Sequence, residues 1–446
     1  MRIFLSASNF CNEPYVVYPL GMSVVGRALE QAGHTVMQFD PLAAGGSEQY
    51  GAALTASLRE FRPELIGISI RNLDNIDSSA PDDRLLGRSL GVIRACREAA
   101  PGVPVVLGGT GFSLYPETLL RISGCEYGIA GEGESAFAAL AAAVERGEPP
   151  PAGTVVRRRA AVPGGASYPD AIARFYLRET HMIPVQTKRG CPFRCAYCAY
   201  PLLEGKNIRP RPVEEVLSDL AMIRARWPEA LVFFVDAVFN DPGREFEKLA
   251  QAMIERDLAV PWTGFLTPAG VREGDFELLQ RAGMVAAELG VDGASDTALA
   301  GLGKAFTFKE VRECCRKLHA LGVGMSASVM FGGPGETVTS VREGIANLNA
   351  LEGVYTMVFA GIRVLNGAPL LELARRENRL PSNWNGIGAH YYFAPGLEQA
   401  QLHRMLLDGF RGSRYVSYPP GKCHETLRLI HKFGYRKMLG AGGNHV

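Results

Sequence analysis

Short apolar runs alternate with amphipathic helical patterns, twice over, and that alternation constrains this chain more than any other feature. The runs "RIFLSA" (2–7), "HTVMQFD" (34–40), "LIGISI" (65–70), "VPVVLGG" (103–109) and "YGIAGEGE" (127–134) are the length of strands and end in polar or glycine-rich residues. Between them "GMSVVGRALEQAG" (21–33), "YGAALTASLREF" (50–61) and "RSLGVIRACREA" (88–99) place apolar residues at helical spacing. Strands separated by helices predict a parallel, doubly wound α/β domain, with ligand loops at the carboxyl ends of its strands. A stretch rich in Pro, Gly and Arg, "ERGEPPPAGTVVRRRAAVPGGASYPD" (145–170), reads as a linker with a short hairpin.

The second series runs through "IPVQTKRG" (183–190), "LVFFVDAVF" (231–239), "PWTGFL" (261–266), "AAELGVD" (286–292), "GMSASVMFGG" (324–333) and "MVFAGIRVL" (357–365). Six β/α units in about 190 residues predict a partial (β/α)6 barrel with its chemistry at the carboxyl ends of the strands. The expected division is a Rossmann-like domain over 1–145, a linker over 146–180, the barrel over 181–377 and a small, mainly helical region over 378–446. At 446 residues the chain is too long for a single ordinary core, which agrees with this division.

Charge excludes some partners. With 47 basic and 46 acidic side chains there is no basic footprint for nucleic acid. No apolar run is long enough to span a bilayer, and "MRIFLSASNF" lacks the form of a secretory signal. The expected location is the cytoplasm, where nine cysteines point to metal binding, catalysis or burial rather than disulfides.

Three of those cysteines, Cys191, Cys195 and Cys198 in "GCPFRCAYCAY", lie on the loop that follows the first barrel strand. Soft thiolates select zinc, copper(I) or iron–sulfur clusters. A structural zinc site normally has four ligands, and no fourth Cys or His stands close by. Three thiols on a [4Fe–4S] cube would leave one iron open. Cys11, Cys96 and Cys125 do not share a pattern that would hold a second cluster, Cys314 and Cys315 read as helix core and flank, and Cys423 beside His424 reads as a surface or packing residue.

"CPFRCAYC" resembles the CxxxCxφC signature of the radical S-adenosylmethionine superfamily, with Tyr197 as the aromatic residue. Further motifs follow in the family's order: "DAVFND" (236–241), "LGVDGASDTALAGLGKAFT" (289–307), "FGGPGET" (331–337) and "GIRVLNGAPLLELA" (361–374). Asp292 stands where the family has Glu. The resemblance implies that Cys191, Cys195 and Cys198 hold a [4Fe–4S] cluster whose free iron chelates S-adenosylmethionine. It further implies that Tyr197 and the turn containing Gly332, Gly335 and Glu336 flank adenine. Asp236 would meet the methionine amino group and Asp292 with Ser295 the ribose, while Arg363 is a further candidate for this ligand or a barrel-end ion pair.

The first domain, with "YPLGM" (18–22), "ISIRNLDN" (68–75), "LGGTGFSLYPETLL" (107–120) and "GEGESAF" (131–137), resembles the cobalamin-binding domain of B12-dependent members of that family. The resemblance places cobalamin contacts at Tyr18, Pro19, Leu20, Gly21, Ser69, Arg71, Asn72, Gly108, Gly109, Thr110, Gly131 and Glu132. No DxHxxG motif follows the first strand, so no His of residues 6–21 would ligate cobalt from below, and Arg71 or Asn72 would face the metal.

The implied activity is C-methylation of an unactivated carbon in a small-molecule or lipid-like biosynthetic intermediate, by a 5′-deoxyadenosyl radical and methylcobalamin. An external flavodoxin- or ferredoxin-type donor would supply electrons. The rival readings are rearrangement, cyclisation or desaturation with the same cofactors, and a non-catalytic cobalamin or electron-transfer module. Tyr391, Tyr392 and Phe393 are candidates for an apolar substrate wall, or for core.

Overall fold

The structure, a computed structural model, describes residues 1–422 except 83, 159–161 and 385. Cys423 and His424 lie outside the described residues.

The first domain is a six-stranded parallel sheet of β1 (Arg2–Ala7), β2 (Thr35–Phe39), β3 (Leu65–Ser69), β4 (Val105–Gly108), β5 (Tyr127–Gly131) and β6 (Thr154–Arg158), in the order β2-β1-β3-β4-β5-β6. The chain reverses its direction of progress between β1 and β3, which opens a crevice at their carboxyl ends. Helices cover both faces, which is why β1 and β3 read as nearly unbroken apolar runs. The expected linker departs from expectation here. Its "TVVRR" segment is β6, paired in parallel with β5 from Tyr127↔Thr154 to Gly131↔Arg158, rather than half of a hairpin. The sheet edge beside β5 draws these five residues in because a parallel partner satisfies backbone groups that would otherwise face solvent.

A helix, Asp170–Thr180, then leads into the barrel strands Met182–Val185, Leu231–Phe234, Trp262–Leu266, Ala286–Asp292, Gly324–Phe331 and Val354–Ala360, each hydrogen-bonded in parallel to the next. A short strand, Val416–Ser417, extends the sheet beyond the sixth. The described part of the C-terminal region, 378–422, is therefore less helical than expected. Among its described residues it holds one helix (Gln399–Gly409), this seventh strand, and Tyr391–Tyr392 paired antiparallel to Ile362–Arg363. Tyr392 is fully buried and donates to Glu377 at 2.6 Å, and Phe393 packs over Gly361, so these two are core, while half-buried Tyr391 donates to the Asn75 carbonyl at 3.0 Å; none of the three lines the cavity where the two domains meet.

Local rules set the barrel helices. Thr307 caps Phe308–Ala320 in a capping box with Glu310, and Thr337 caps Val338–Asn349 with Ser340. One continuous apolar core runs from the barrel's outer layer through Ile172 and Tyr176 to one face of the first sheet, and a separate core fills the other face. The carboxyl ends of both sheets meet across that junction.

Candidate functional site

A cavity of about 400 Å³ occupies the meeting place of the two domains. Its first-domain walls come from the ends of β1 (Leu5, Ser6, Ala7), β3 (Gly67, Ile68, Ser69) and β4 (Val106, Leu107, Gly108), which is the crevice of the strand-order reversal. Tyr18, Pro19, Leu20, Gly21, Ser69, Arg71, Gly108, Gly109, Thr110, Gly131 and Glu132 all line it. Asn72 does not, so of the two residues expected to face cobalt only Arg71 reaches the cavity. The barrel contributes Pro184, Gln186, Arg189, Tyr200, Leu203, Glu204, Phe233, Val235 and Phe265. Gly21 has open space where a Cβ would be, and a Cβ on Gly108 would meet only the Ile129 carbonyl, at 3.7 Å. Bare backbone at both positions leaves room for a bulky ligand, which is how cobalamin would fit.

Beside this cavity, the loop after Met182–Val185 carries Cys191, Cys195 and Cys198, all unpaired thiols. Its path is pinned at several points. Cys191 donates its N–H to Gly205 at 3.0 Å, Ala196 donates to Leu302 at 2.9 Å, and Gly190 has a φ of 94° with the Asn207 carbonyl only 2.1 Å from where a Cβ would sit. Burial raises the Cys191 thiol, and it pushes Cys198 up to about 12, with the neighbouring thiols adding to both shifts. Three soft ligands held on one loop and close enough to repel one another as thiolates suit an iron–sulfur cluster. Among the described residues, no group of three or more His, Cys, Asp and Glu converges on a single ion position.

The residues expected around S-adenosylmethionine divide into two sets. Tyr197 and Asp292 come together beside the thiols, bridged by Lys304. Lys304 Nζ donates to the Asp292 carboxylate, to the Tyr197 hydroxyl at 3.2 Å and to the Gly290 carbonyl at 3.3 Å. Burial opposes the charge on Lys304, but Asp292 and the thiols of Cys195 and Cys198 lift its pKa above the ordinary value. Burial followed by the Asp292 charge keeps the Tyr197 phenol protonated. Asp292 itself has a φ of 60°, at a point where the strand register shifts. Left-handed backbone in a non-glycine residue is strain of the kind that ligand sites retain.

The remaining residues already serve the fold. Asp236 is fully buried, accepts N–H groups from Thr187 at 2.7 Å and Lys188 at 3.2 Å, takes the Thr187 hydroxyl, and pairs with Lys188 Nζ at 3.7 Å. These partners make it an anchor of the strand end, with Oδ1 saturated by the two N–H groups. Ser295 accepts from Ala298 N–H at 3.2 Å as the N-cap of Asp296–Gly301. Glu336 Oε2 accepts from Gly332 and Gly333, both at 2.7 Å, and closes a turn in which Gly332 and Gly335 have φ of 92° and 78°. Burial pushes the Glu336 carboxyl up to about 7. Arg363 makes a bidentate pair with Asp74, with Nε 2.9 Å from Oδ1, and so ties the barrel to the loop after β3. The ion-pair reading of Arg363 is the one the structure bears.

Sequence reasoning missed Lys304, although the motif quoted for the family contains it, and it missed the joint around Arg189. Arg189 Nη1 lies 2.6 Å from Glu134 and 3.6 Å from Glu132, and Arg209 Nη1 donates to Glu132 at 3.0 Å. Glu132 thus lines the cavity while bound to two barrel arginines. Other polar contacts also join the domains, among them Tyr176 to Asp40 at 2.7 Å and Arg27 to Asp219 at 2.8 Å.

The two halves match separate families: residues 12–141 match the B12 binding domain, and residues 185–346 the Radical SAM superfamily. Tryptophan 2-C-methyltransferase of Streptomyces laurentii is 23% identical over 439 residues, covering 80% of this chain and 72% of that protein. An uncharacterized methyltransferase of Pyrococcus horikoshii is 22% identical, covering 82% and 80%. The structure of the radical S-adenosylmethionine methyltransferase TsrM from Kitasatospora setae, with cobalamin and a [4Fe–4S] cluster bound, superimposes with a TM-score of 0.81 at 22% identity over 98% of each chain. OxsB, a cobalamin-dependent S-adenosylmethionine radical enzyme, does so with a TM-score of 0.67 at 16% identity, over 97% of this chain and 72% of its own. Among the described residues no helix is long and apolar enough to cross a membrane. With a B12-binding sheet and a radical S-adenosylmethionine barrel meeting at one cavity, the chain belongs to the cobalamin-dependent radical S-adenosylmethionine family.

Proposed function

We propose that this protein is a cobalamin-dependent radical S-adenosylmethionine methyltransferase acting on carbon in a small molecule, held where the two domains meet. The observation that carries this reading is the placement of the expected cobalamin contacts and the inner barrel residues Phe233 and Phe265 on a single cavity beside the cysteine loop.

When bound, the cluster, S-adenosylmethionine and cobalamin supply radical formation and a transferable methyl group. The chain supplies position and dryness. Cys191, Cys195 and Cys198 hold the cluster. Tyr197, Lys304 and Asp292 form a polar patch beside those thiols, so they are the groups to meet the nucleoside. The Ser295 cap and the Gly332–Glu336 turn hold the barrel rim rigid around it. Ser69 and Thr110 would offer hydroxyls to the nucleotide tail of cobalamin, and Arg71, with no histidine in residues 6–21, would be the side chain available to the corrin. Phe233 and Phe265, with ring centroids 5.2 Å apart, give the barrel side of the cavity an apolar wall that excludes water from a reacting carbon.

A small-molecule substrate suits a cavity of this size, and a lipid-like one suits its apolar walls. Electrons would come from an external flavodoxin- or ferredoxin-type donor. The test is anaerobic turnover of the reconstituted protein with candidate substrates, scoring product mass together with S-adenosylhomocysteine and 5′-deoxyadenosine. Methylation gives a product one CH2 heavier and S-adenosylhomocysteine. A new product without an added methyl group, either isomeric with the substrate or two hydrogens lighter, would replace this reading with rearrangement, cyclisation or desaturation.

A further inference from the structure

Arg189 stands two residues before Cys191 and is held from the opposite domain. Its guanidinium is buried, with the side chain 8% exposed, and it faces Glu134 at 2.6 Å and Glu132 at 3.6 Å. Both glutamates come from the carboxyl end of β5 and its turn into the helix Glu134–Glu145. On the barrel side Arg189 Nε donates to Gln186 Oε1 at 2.7 Å, and Gln186 Nε2 donates to Glu204 Oε1 at 3.2 Å. The other oxygen of Glu204 accepts the Gly190 N–H at 3.2 Å, so the path returns to the peptide joining Arg189 to Gly190. Glu132, Glu134, Gln186, Arg189 and Glu204 all line the interdomain cavity.

The link from Arg189 to the first thiol is stiff. Gly190 is left-handed and in close contact with the Asn207 carbonyl, and Cys191 N–H is bonded to Gly205. The backbone from Arg189 to Cys191 thus has little freedom to rearrange independently of its contacts. A second buried ion pair between the domains, Arg363 with Asp74, touches neither the cavity lining nor the cysteine loop. Holding the domains together thus does not require an arginine at position 189, and the placement of Arg189 calls for another account.

We propose that Arg189, gripped by Glu132 and Glu134, is a positioning residue that couples occupancy of the cavity to the geometry of the cysteine loop. It tells the cluster side of the site whether the cobalamin side is filled. This rests on the functional reading above, in which cobalamin fills the cavity and a cluster sits on the three thiols. Coupling between two binding events is reciprocal, so it can be read from either ligand without turnover.

The experiment measures the dissociation constant of hydroxocobalamin by absorbance titration of the full chain, once with the cluster reconstituted and once after its removal. The expected result is a change of about fivefold or more between the two forms, the lower end of typical coupling between sites. In Glu134→Gln and in Arg189→Lys, which preserve size and charge respectively, the two constants should become equal. In Asp74→Asn, which weakens the other interdomain pair, the difference should persist. Equal constants in the unmodified protein, or a difference that survives in both Glu134→Gln and Arg189→Lys, would overturn the proposal while leaving the functional reading standing. Failure of the unmodified chain to bind hydroxocobalamin, or to hold iron, would overturn the functional reading and this proposal with it.

Discussion

Lys304 donates to the carboxylate of Asp292, with side-chain exposures of 9% and 17% for the two residues. The pair lies beside Cys195 and Cys198, whose partial charges add to the pull on Lys304. Lys304→Met would strand a carboxylate that is already in left-handed backbone. The expected loss is on the order of 3 kcal/mol in the denaturant unfolding of the apoprotein. Asp292→Asn combined with Lys304→Met should recover much of that loss, because the double variant leaves no unpaired charge.

Glu336 gives a pH dependence of definite sign. Its carboxyl is pushed up to about 7 by burial, against an ordinary value of 4.5. A folded pKa above the unfolded one means that the folded state binds the extra proton between those values. Stability from this group is therefore fully present below about pH 4.5 and is lost as pH rises through about 7. Glu336→Gln keeps an oxygen for the Gly332 and Gly333 N–H groups and does not titrate. Relative to the natural chain, it should gain roughly 3 kcal/mol between pH 4.5 and 8, measured by chemical denaturation across that range.

Much of this architecture is legible in the sequence because alternation and period are local. Most of the sheet strands fall within a few residues of the apolar runs that mark them, and the cysteine spacing alone points to an open metal site. What the sequence hides is pairing at a distance. Asp74 and Arg363 are 289 residues apart, and nothing in either motif says that they meet. Asp236 resembles a ligand residue by position, yet its partners Thr187 and Lys188 are the strand end it anchors. Strand β6 is short and charged, and it becomes a strand only because β5 offers it an edge.

Replacing Arg363 with Met should cost roughly 3–5 kcal/mol, since Asp74 would then be buried without a partner. S-adenosylmethionine affinity of the cluster-loaded protein should be unchanged, as measured by equilibrium dialysis. A loss of that affinity at preserved stability would return Arg363 to the ligand site.

The two adjacent glycines of the β4 turn should behave differently. Gly109 has a φ of 95°, and a Cβ there would lie 2.5 Å from the Ile70 carbonyl, so Gly109→Ala should destabilise the chain by about 2–4 kcal/mol in thermal or chemical unfolding. A methyl group on Gly108 would clear the fold and project into the cavity region. Gly108→Ala should keep native stability and lower cobalamin content, read as the cobalt-to-protein ratio.

Single replacement of Cys191, Cys195 or Cys198 by Ala should abolish the iron–sulfur absorbance of the reconstituted protein. The same change at Cys96 or Cys125, which are buried in the first domain, should leave iron content intact and cost about 1 kcal/mol of stability. Iron lost on replacing Cys96 or Cys125 would assign those thiols to a second cluster.

The seven-stranded barrel sheet begins at Met182–Val185 and ends at Val416–Ser417, and those two strands do not pair with each other. Among the described residues the curved wall around the site is thus a horseshoe and not a ring. Ion pairs at Arg363, Arg27 and Arg189 fasten the first domain over its mouth. Unlike the strands of a closed barrel, the two end strands each keep one edge without a strand neighbour among the described residues.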